Sequence, residues 1–397
     1  MDKAQCQIMS SDDPRHSRRI VILTGSVGGG HDGAAYELEH RLRAMDFTVE
    51  TYDYLDFLPG RFGALLRDSY TTSLRVAPFT WGLVANVTGR RPVAGMLRAA
   101  SAALARKDTR RSIGRTADLV AEPAAVVSTY PLASQALGRL RRSGRLNAPA
   151  ITFLTDMSVH PLWISSGVDF HLALHEVAAE DARGRGAKGV QVCGPAVPAA
   201  FHPAASEEEK RKARAQFGLP QDEPLAVLVS GAGGMGDVRK SAREVADTGL
   251  ARAVVVCGRN ASVREDLEAD GAIALGWVDD MATLLRGCDV AVQNAGGLSS
   301  LEALATGLPT VTYRSVPGHG AANAAALDKA GWVPWVRHVR DLPAALQAAL
   351  TGVPTTSAAR AAAHPPTDPA DVIAELANQT VDHRRRRRIT RRLRLTG

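Results

Sequence analysis

Arg19-Ile-Val-Ile-Leu-Thr-Gly-Ser-Val-Gly-Gly-Gly-His31 is an apolar run that ends in glycine, and Leu225-Ala-Val-Leu-Val-Ser-Gly-Ala-Gly-Gly-Met-Gly236 repeats the arrangement in the second half of the chain. Downstream of the first run, Ala35, Leu38, Leu42 and Met45 recur at helical spacing over residues 32–45. The unit therefore reads as strand, glycine loop, helix. Gly28-Gly-Gly30-His-Asp-Gly33 and Gly231-Ala-Gly233-Gly234-Met-Gly236 both fit G-x-G-x-x-G, in which missing side chains let backbone N–H groups approach phosphate oxygens.

Working outward, an alternating stretch at 47–53 and short apolar runs at 124–129, 150–155, 170–174 and 190–193 are separated by stretches long enough for helices. That is the rhythm of a parallel sheet with crossover helices. A proline-rich connector around 194–222, containing a charged helical stretch at 206–217, leads to a second series of strands at 225–230, 253–257, 272–275, 290–292 and 310–313. The expected architecture is α/β, with two Rossmann-like domains facing across a cleft that holds the site. Residues 1–18 read as a disordered N-terminus, 19–205 as one domain and 206–352 as the other. Residues 353–382 read as a linker and a helix from Pro369 to Asn378, and 383–397 as a disordered arginine-rich tail.

The chain has 397 residues, enough for two sizeable cores, and 45% hydrophobic against 22% charged residues places it among globular proteins. The start is polar, without a secretory signal, and no apolar run reaches the roughly 20 residues of a spanning helix. A cytoplasmic protein is expected. The four cysteines, Cys6, Cys193, Cys257 and Cys288, form no Cys-x-x-Cys pair and read as buried structural thiols. The net charge of +7 is uneven: 383–397 has eight arginines and no acid, and 59–115 has 11 basic and 2 acidic residues.

Several residues are candidates for chemistry. His31, at the mouth of the first loop, is placed to take a proton near neutrality, its ordinary pKa being about 6.5. Asn294-Ala-Gly296-Gly297-Leu298-Ser299-Ser-Leu-Glu302 follows a strand and opens a helix, so backbone N–H groups and hydroxyls can converge on a diphosphate. Glu302 can accept both ribose hydroxyls. Asp53, 20 residues beyond Gly33, keeps a dinucleotide-binding oxidoreductase open as a rival reading, though the second half ends its second strand in Gly258-Arg259-Asn260 with no acid. There is no Asp-x-Asp triplet to hold a metal on a diphosphate, which favours metal-independent transfer with leaving-group charge met by helix dipoles and loop amides.

Together the motifs resemble the monogalactosyldiacylglycerol synthase family of inverting GT-B glycosyltransferases, related to the peptidoglycan N-acetylglucosaminyltransferase that acts on a polyprenyl-linked precursor. The blocks are Gly28-Gly-Gly-His31, Ser128-Thr-Tyr-Pro131, Thr155-Asp156 with His160-Pro-Leu-Trp163, Cys257-Gly-Arg-Asn260, Gly276-Trp277-Val278, and Ala295 to Glu302 with Gly307-Leu-Pro309, in order from about Ile20 to Trp335. The resemblance implies a UDP-sugar donor held by Ser230, Gly231, Gly233, Gly234, Gly236, Arg259, Asn260, Trp277, Val278, Gly296, Gly297, Leu298, Ser299, Glu302 and Asn323. No metal or other cofactor is implied. It places a lipid acceptor such as diacylglycerol near Gly29, Gly30, His160 and Trp163, with His31, or alternatively Asp156, as the base. Asp156 can instead orient His31 or His160. The chain departs from its relatives at Pro317-Gly-His319-Gly-Ala-Ala-Asn323, where they place Gln and acidic residues before the asparagine; only Asn323 matches, which leaves the sugar open. An epimerase or hydrolase of the same architecture is the alternative enzyme, and N-acetylglucosaminyl transfer to a polyprenyl-linked acceptor the alternative transfer.

Between Pro59 and Arg115, apolar residues including Phe62, Leu65, Tyr70, Phe79 and Trp81 are interleaved with Arg90, Arg91, Arg98 and other cations. Such a pattern suits an amphipathic surface lying among anionic head groups on the inner face of the plasma membrane, where a lipid acceptor would enter. The arginine tail has no aromatic residue for base stacking, so the membrane is favoured over nucleic acid.

Overall fold

The computed structural model describes residues 18–58, 61–67, 122–229, 236–351 and 367–395, with side chains as far as residue 382 in the last segment. Ser230, Gly231, Gly233, Gly234, Trp81, Arg90, Arg91 and Arg98, and the expectation for the N-terminus through residue 17, lie outside the described residues.

Two parallel six-stranded sheets form the frame. The first runs in the order β2-β1-β3-β4-β5-β6, from β1 (Arg19–Thr24), β2 (Thr48–Asp53), β3 (Ala125–Ser128), β4 (Ala150–Phe153), β5 (Phe170–Ala173) and β6 (Val190–Val192). Its helices are α1 (Gly29–Ala44), α2 (Pro131–Arg142) and α3 (Glu176–Gly184). The second runs β12-β11-β10-β7-β8-β9, from β7 (Leu225–Val229), β8 (Arg252–Val256), β9 (Ile273–Leu275), β10 (Val290–Gln293), β11 (Thr310–Tyr313) and β12 (Trp335–Val336). With it go α4 (Glu207–Gln216), α5 (Val238–Asp247), α6 (Ala261–Ala269), α7 (Met281–Gly287), α8 (Leu298–Ala305), α9 (His319–Lys329) and α10 (Leu342–Leu350). β1 is buried along its whole length, as a strand covered by helices on both faces must be.

In each sheet the strand order reverses once, between β1 and β3 and between β7 and β10. At such a reversal the flanking crossovers diverge and leave a crevice at the carboxyl ends of the strands. Gly25 to Gly28 leave β1 at the first crevice, and Asn294 to Gly297 leave β10 at the second.

Two expectations about helices are corrected. The first helix begins at Gly29, not Asp32, so the second and third glycines of the triplet form its opening turn while Gly28, at φ 107°, caps it. Three consecutive glycines read as a loop, yet once Gly28 takes the left-handed bend the rest can enter the helix, with Asp32 in the first turn complementing the dipole. At the other end, α11 (Pro369–Leu395) does not stop at Asn378 but continues through the arginine run, so no separate tail exists at the backbone level. No glycine or proline lies between residues 370 and 395, and arginine is a good helix former.

α11 also leaves the second domain. Ala370, Ile373 and Ala377, all fully buried, join the apolar cluster of Ile20, Ile22, Leu38 and Leu42 in the first domain. Arg41 ties the start of α11 down, its guanidinium meeting Asp368 at 2.8 Å and Glu37 at 2.7 Å. The same cluster takes in Leu301 and Leu304 of α8 and Leu327, Trp332 and Val333 at and beyond the end of α9, so one apolar core bridges both domains. At its edge the ring of His175 stands against Trp332 at 4.9 Å, and burial pushes the His175 pKa down to about 4, so the contact is made by a neutral ring. Replacing Ile373 with alanine is expected to cost about 2–5 kcal/mol, read as a lower urea midpoint at unchanged slope.

Candidate active site

Four segments of the first domain converge above its crevice. From the first turn of α1, His31 points Nδ1 at the Thr155 hydroxyl, 2.9 Å away in the segment after β4. Its ring meets Tyr130 edge-on at 5.3 Å, where α2 begins, and lies 5.8 Å from Trp163. Trp163 Nε1 in turn donates to Asp156 Oδ2 at 2.8 Å. Burial lowers the His31 pKa below its usual 6.5, and Asp156 is the largest influence opposing that shift. The imidazole is therefore neutral at pH 7, the form that accepts a proton.

Several expected roles change here. Trp163 is fully buried and meets no solvent, so it holds Asp156 rather than an acceptor. His160 caps the turn Pro161–Trp163, accepting from Leu162 N at 3.2 Å. Asp53 accepts from Leu55 N at 2.8 Å and pairs with Arg67 at 2.6 Å, which commits the acid that a dinucleotide enzyme would need for ribose. Gly29 and Gly30 do stand at the open end of α1, where a side chain on Gly29 would meet nothing within 4 Å.

The second domain supplies the opposite wall. Gly297 precedes α8, and Leu298 and Ser299 form its first turn, half-buried beside the cleft. The α8 terminus presses directly on α1: a Cβ on Gly33 would lie 2.6 Å from Leu298 Cδ2, so the glycine makes room for the leucine of the other domain. One turn into α8, burial raises the Glu302 pKa to about 7. Gly236, at φ 86°, ends the glycine run after β7 and faces Asn294, whose Nδ2 would lie only 2.7 Å from a Cβ on this glycine. Farther out, the Arg259 guanidinium lies 4.3 Å over the half-exposed ring of Trp277, whose Nε1 donates to Asp279 at 2.8 Å. Val278 packs inward on the second core, and Asn260 caps α6 through Val263 N.

Asn323 joins the second domain to the first. It is fully buried on α9, and its Oδ1 accepts from both Ser158 N at 3.0 Å and Ser158 Oγ at 2.8 Å. Beside it His319, in the first turn of α9, brings Nε2 within 3.4 Å of Asp156 Oδ1. Ser158 and His319 were not expected as site residues. Their only sequence signal was proximity to Asp156 and to the unusual Pro317-Gly-His319.

Cys257 and Cys288 are buried and their thiols are pushed up to about 11 and about 12, which makes them inert apolar groups at neutral pH; Cys193 is buried and shifted upward as well. Cys6 lies outside the described residues. Among the described residues no helix is long and apolar enough to cross a membrane.

Two facing Rossmann-like domains with a site at each strand reversal define a known architecture. The fold is GT-B. The Acinetobacter baumannii MurG structure matches over 91% of this chain and 99% of its own, at 17% identity and a TM-score of 0.50. The glycosyltransferase SnogD from Streptomyces nogalater matches over 91% and 99%, at 18% and 0.55. Residues 31–197 match the family described as Monogalactosyldiacylglycerol (MGDG) synthase, so the resemblance carried by the motifs holds through the wall that bears His31 and Asp156. A "Processive diacylglycerol beta-glucosyltransferase" of Bacillus licheniformis is 26% identical over 53% of this chain and 56% of that protein. The "Probable monogalactosyldiacylglycerol synthase 2, chloroplastic" of Oryza sativa subsp. japonica is 26% identical over 77% of this chain and 68% of its own. The chain spans little more than half the length of the Bacillus relatives it matches.

Glu302 offers a direct test of this electrostatic arrangement. Its carboxyl ionises near pH 7 when folded but near the usual 4.5 when unfolded, so the folded state binds more protons between those values and stability falls as pH rises through that window. Glu302→Gln is expected to gain stability relative to the parent protein at pH 8 and to lose most of that advantage at pH 4.5. Thermal melts at the two pH values check it.

Proposed function

We propose that the protein is an inverting, metal-independent glycosyltransferase that moves a hexose from a UDP-sugar to a lipid acceptor such as diacylglycerol. The observation that carries the reading is a neutral, half-buried His31 on one wall facing, through Leu298 and Gly33, the first turn of α8 on the other. A base and an anion-binding helix end thus share one cleft. The names of the Bacillus and rice relatives support a diacylglycerol acceptor and a hexosyl product.

In this reading the N–H groups at the start of α8 receive the diphosphate, aided by the positive end of the helix dipole. Glu302 accepts the ribose hydroxyls, and Trp277 with Arg259 over it lies against the base. In the tautomer with the proton on Nδ1, facing Thr155, Nε2 carries the lone pair for the acceptor hydroxyl, and the backbone hydrogen bond to Thr129 favours the charged ring that forms. The acceptor oxygen bonds to the anomeric carbon as the carbon–phosphate-oxygen bond breaks on the opposite face. The proton goes to His31 and the electron pair leaves with UDP, so the configuration inverts. Asp156 favours the imidazolium that results, the direction in which it already shifts His31. Basic segments at 59–115 and 384–394 would hold the enzyme peripherally on an anionic inner leaflet.

His31→Ala is expected to lower kcat by about 10² to 10⁴ while leaving UDP affinity within about twofold. Because burial holds the His31 pKa below 6.5, the acid limb of kcat should have its midpoint below that value. Mass spectrometry of lipid products from a panel of UDP-sugars, with and without diacylglycerol vesicles, tests the transfer itself; donor consumption without acceptor would reject it. Binding to anionic vesicles should weaken with salt and on removing residues 383–397, whereas equal binding by the shortened chain would reject the membrane role of that segment.

A further inference from the structure

The residue that caps α3 does more than capping requires. His175 follows β5 in an extended conformation, and its Nδ1 accepts from Ala178 N at 3.1 Å. A backbone N–H can only donate, so Nδ1 carries the lone pair and the proton of the neutral ring sits on Nε2. Nε2 faces the Met157 carbonyl oxygen at 3.0 Å, and a carbonyl can only accept, so both partners select the same tautomer. Burial, which pushes this pKa down to about 4, keeps the ring in that neutral form.

Serine, threonine, aspartate and asparagine are the favoured caps, and any of them would serve the first turn of α3 alone. The imidazole, longer and rigid, adds a donor on its far side. That donor holds the carbonyl of Met157, the fully buried residue next to Asp156. The ring also meets Trp332 of the second domain edge-on, with centroids 4.9 Å apart. Trp332 and Met157 are both buried in the apolar core that bridges the domains. One side chain thus joins the start of α3, the segment that carries Asp156, and the chain just beyond α9.

We propose that His175 is a positioning residue that fixes the backbone of the Asp156–Met157 segment and couples it to the second domain through Trp332. It acts on the reaction through Met157, whose neighbour Asp156 favours the imidazolium form of His31. A displaced Asp156 would compensate that charge less well, and an error of about 1 Å in the placement of such a group can cost roughly 10²-fold in rate. The inference rests on the transferase reading for the use made of Asp156; the held backbone and the seat for Trp332 are properties of the fold.

His175→Thr is the sharpest variant, because threonine keeps a cap for α3 while losing the donor to Met157 and the ring against Trp332. Trp332→Leu leaves both hydrogen bonds of His175 in place, removes the aromatic edge, and serves where the first variant folds poorly. Hydrogen exchange read by mass spectrometry on the full chain follows residues 154–159 and 176–182 separately. For His175→Thr, exchange is expected to be about threefold or more faster over 154–159, with 176–182 close to the parent. With UDP-sugar and diacylglycerol, kcat is expected to fall about tenfold for His175→Thr and about threefold for Trp332→Leu, with UDP affinity within about twofold of the parent. Because both changes act through one contact, the double variant should lose less than the product of the two single losses. Faster exchange confined to 176–182 marks a helix cap alone and overturns the proposal. So does unchanged exchange over 154–159 in both variants, or unchanged kcat in both, and full multiplication of the two losses overturns the coupling through Trp332. If the parent protein transfers no sugar to lipid, the function proposed above fails, and exchange in the single and double variants still decides whether His175 holds the segment.

Discussion

The first turns of α1 and α8 meet because α1 places no side chain at Gly33, where they touch. Leu298 occupies the space that a Cβ on Gly33 would take, and the turn before α8 folds back at Gly296 against Asn323. In the transfer reading proposed above, the chemistry of the cleft depends on that proximity. His31 is useful only if a helix end that can receive negative charge lies near it, and the helix end is useful only if water is kept from solvating the group it receives. The apolar contact of Leu298 therefore holds two polar functions together.

Burial tunes the two titratable groups in opposite senses. It pulls the His31 pKa below the usual imidazole value and pushes the Glu302 pKa up to about 7, in both cases by disfavouring the charged form. The consequences differ. A neutral imidazole is ready to accept a proton, whereas a carboxyl near its midpoint at neutral pH becomes fully ionised only when hydroxyl donors compensate for its lost hydration. Hydrogen-bond donors brought to Glu302 would therefore favour its charged form.

Much of the frame could be read in advance because its signals are local. Nine of the twelve strands lie within the stretches expected as strands, and β8 and β10 each reach one residue beyond theirs; β12, two residues long, has no pattern to betray it. His31, Asp156 and Glu302 were legible as types of residue placed after strands. What could not be read was which polar groups are already spent inside the protein. Trp163 and Asn323 occupy motif positions that suggest ligand contact, yet both are fully buried and bonded to protein partners, facts that depend on segments distant in sequence. The same holds for the end of the chain: arginines read as a solvated tail, and only the uninterrupted helix they continue reveals a different backbone.

The return of α11 to the first domain means that the polypeptide passes between the domains twice, once ahead of α4 and once between α10 and α11. The two passages are stapled together at the first domain, where Gly194 N donates to Thr367 O at 2.9 Å. The start of α11 is thereby fixed to the end of the first sheet, and Arg41 holds the same end of α11 through Asp368, so the last helix is anchored on the first domain by backbone and side chain together.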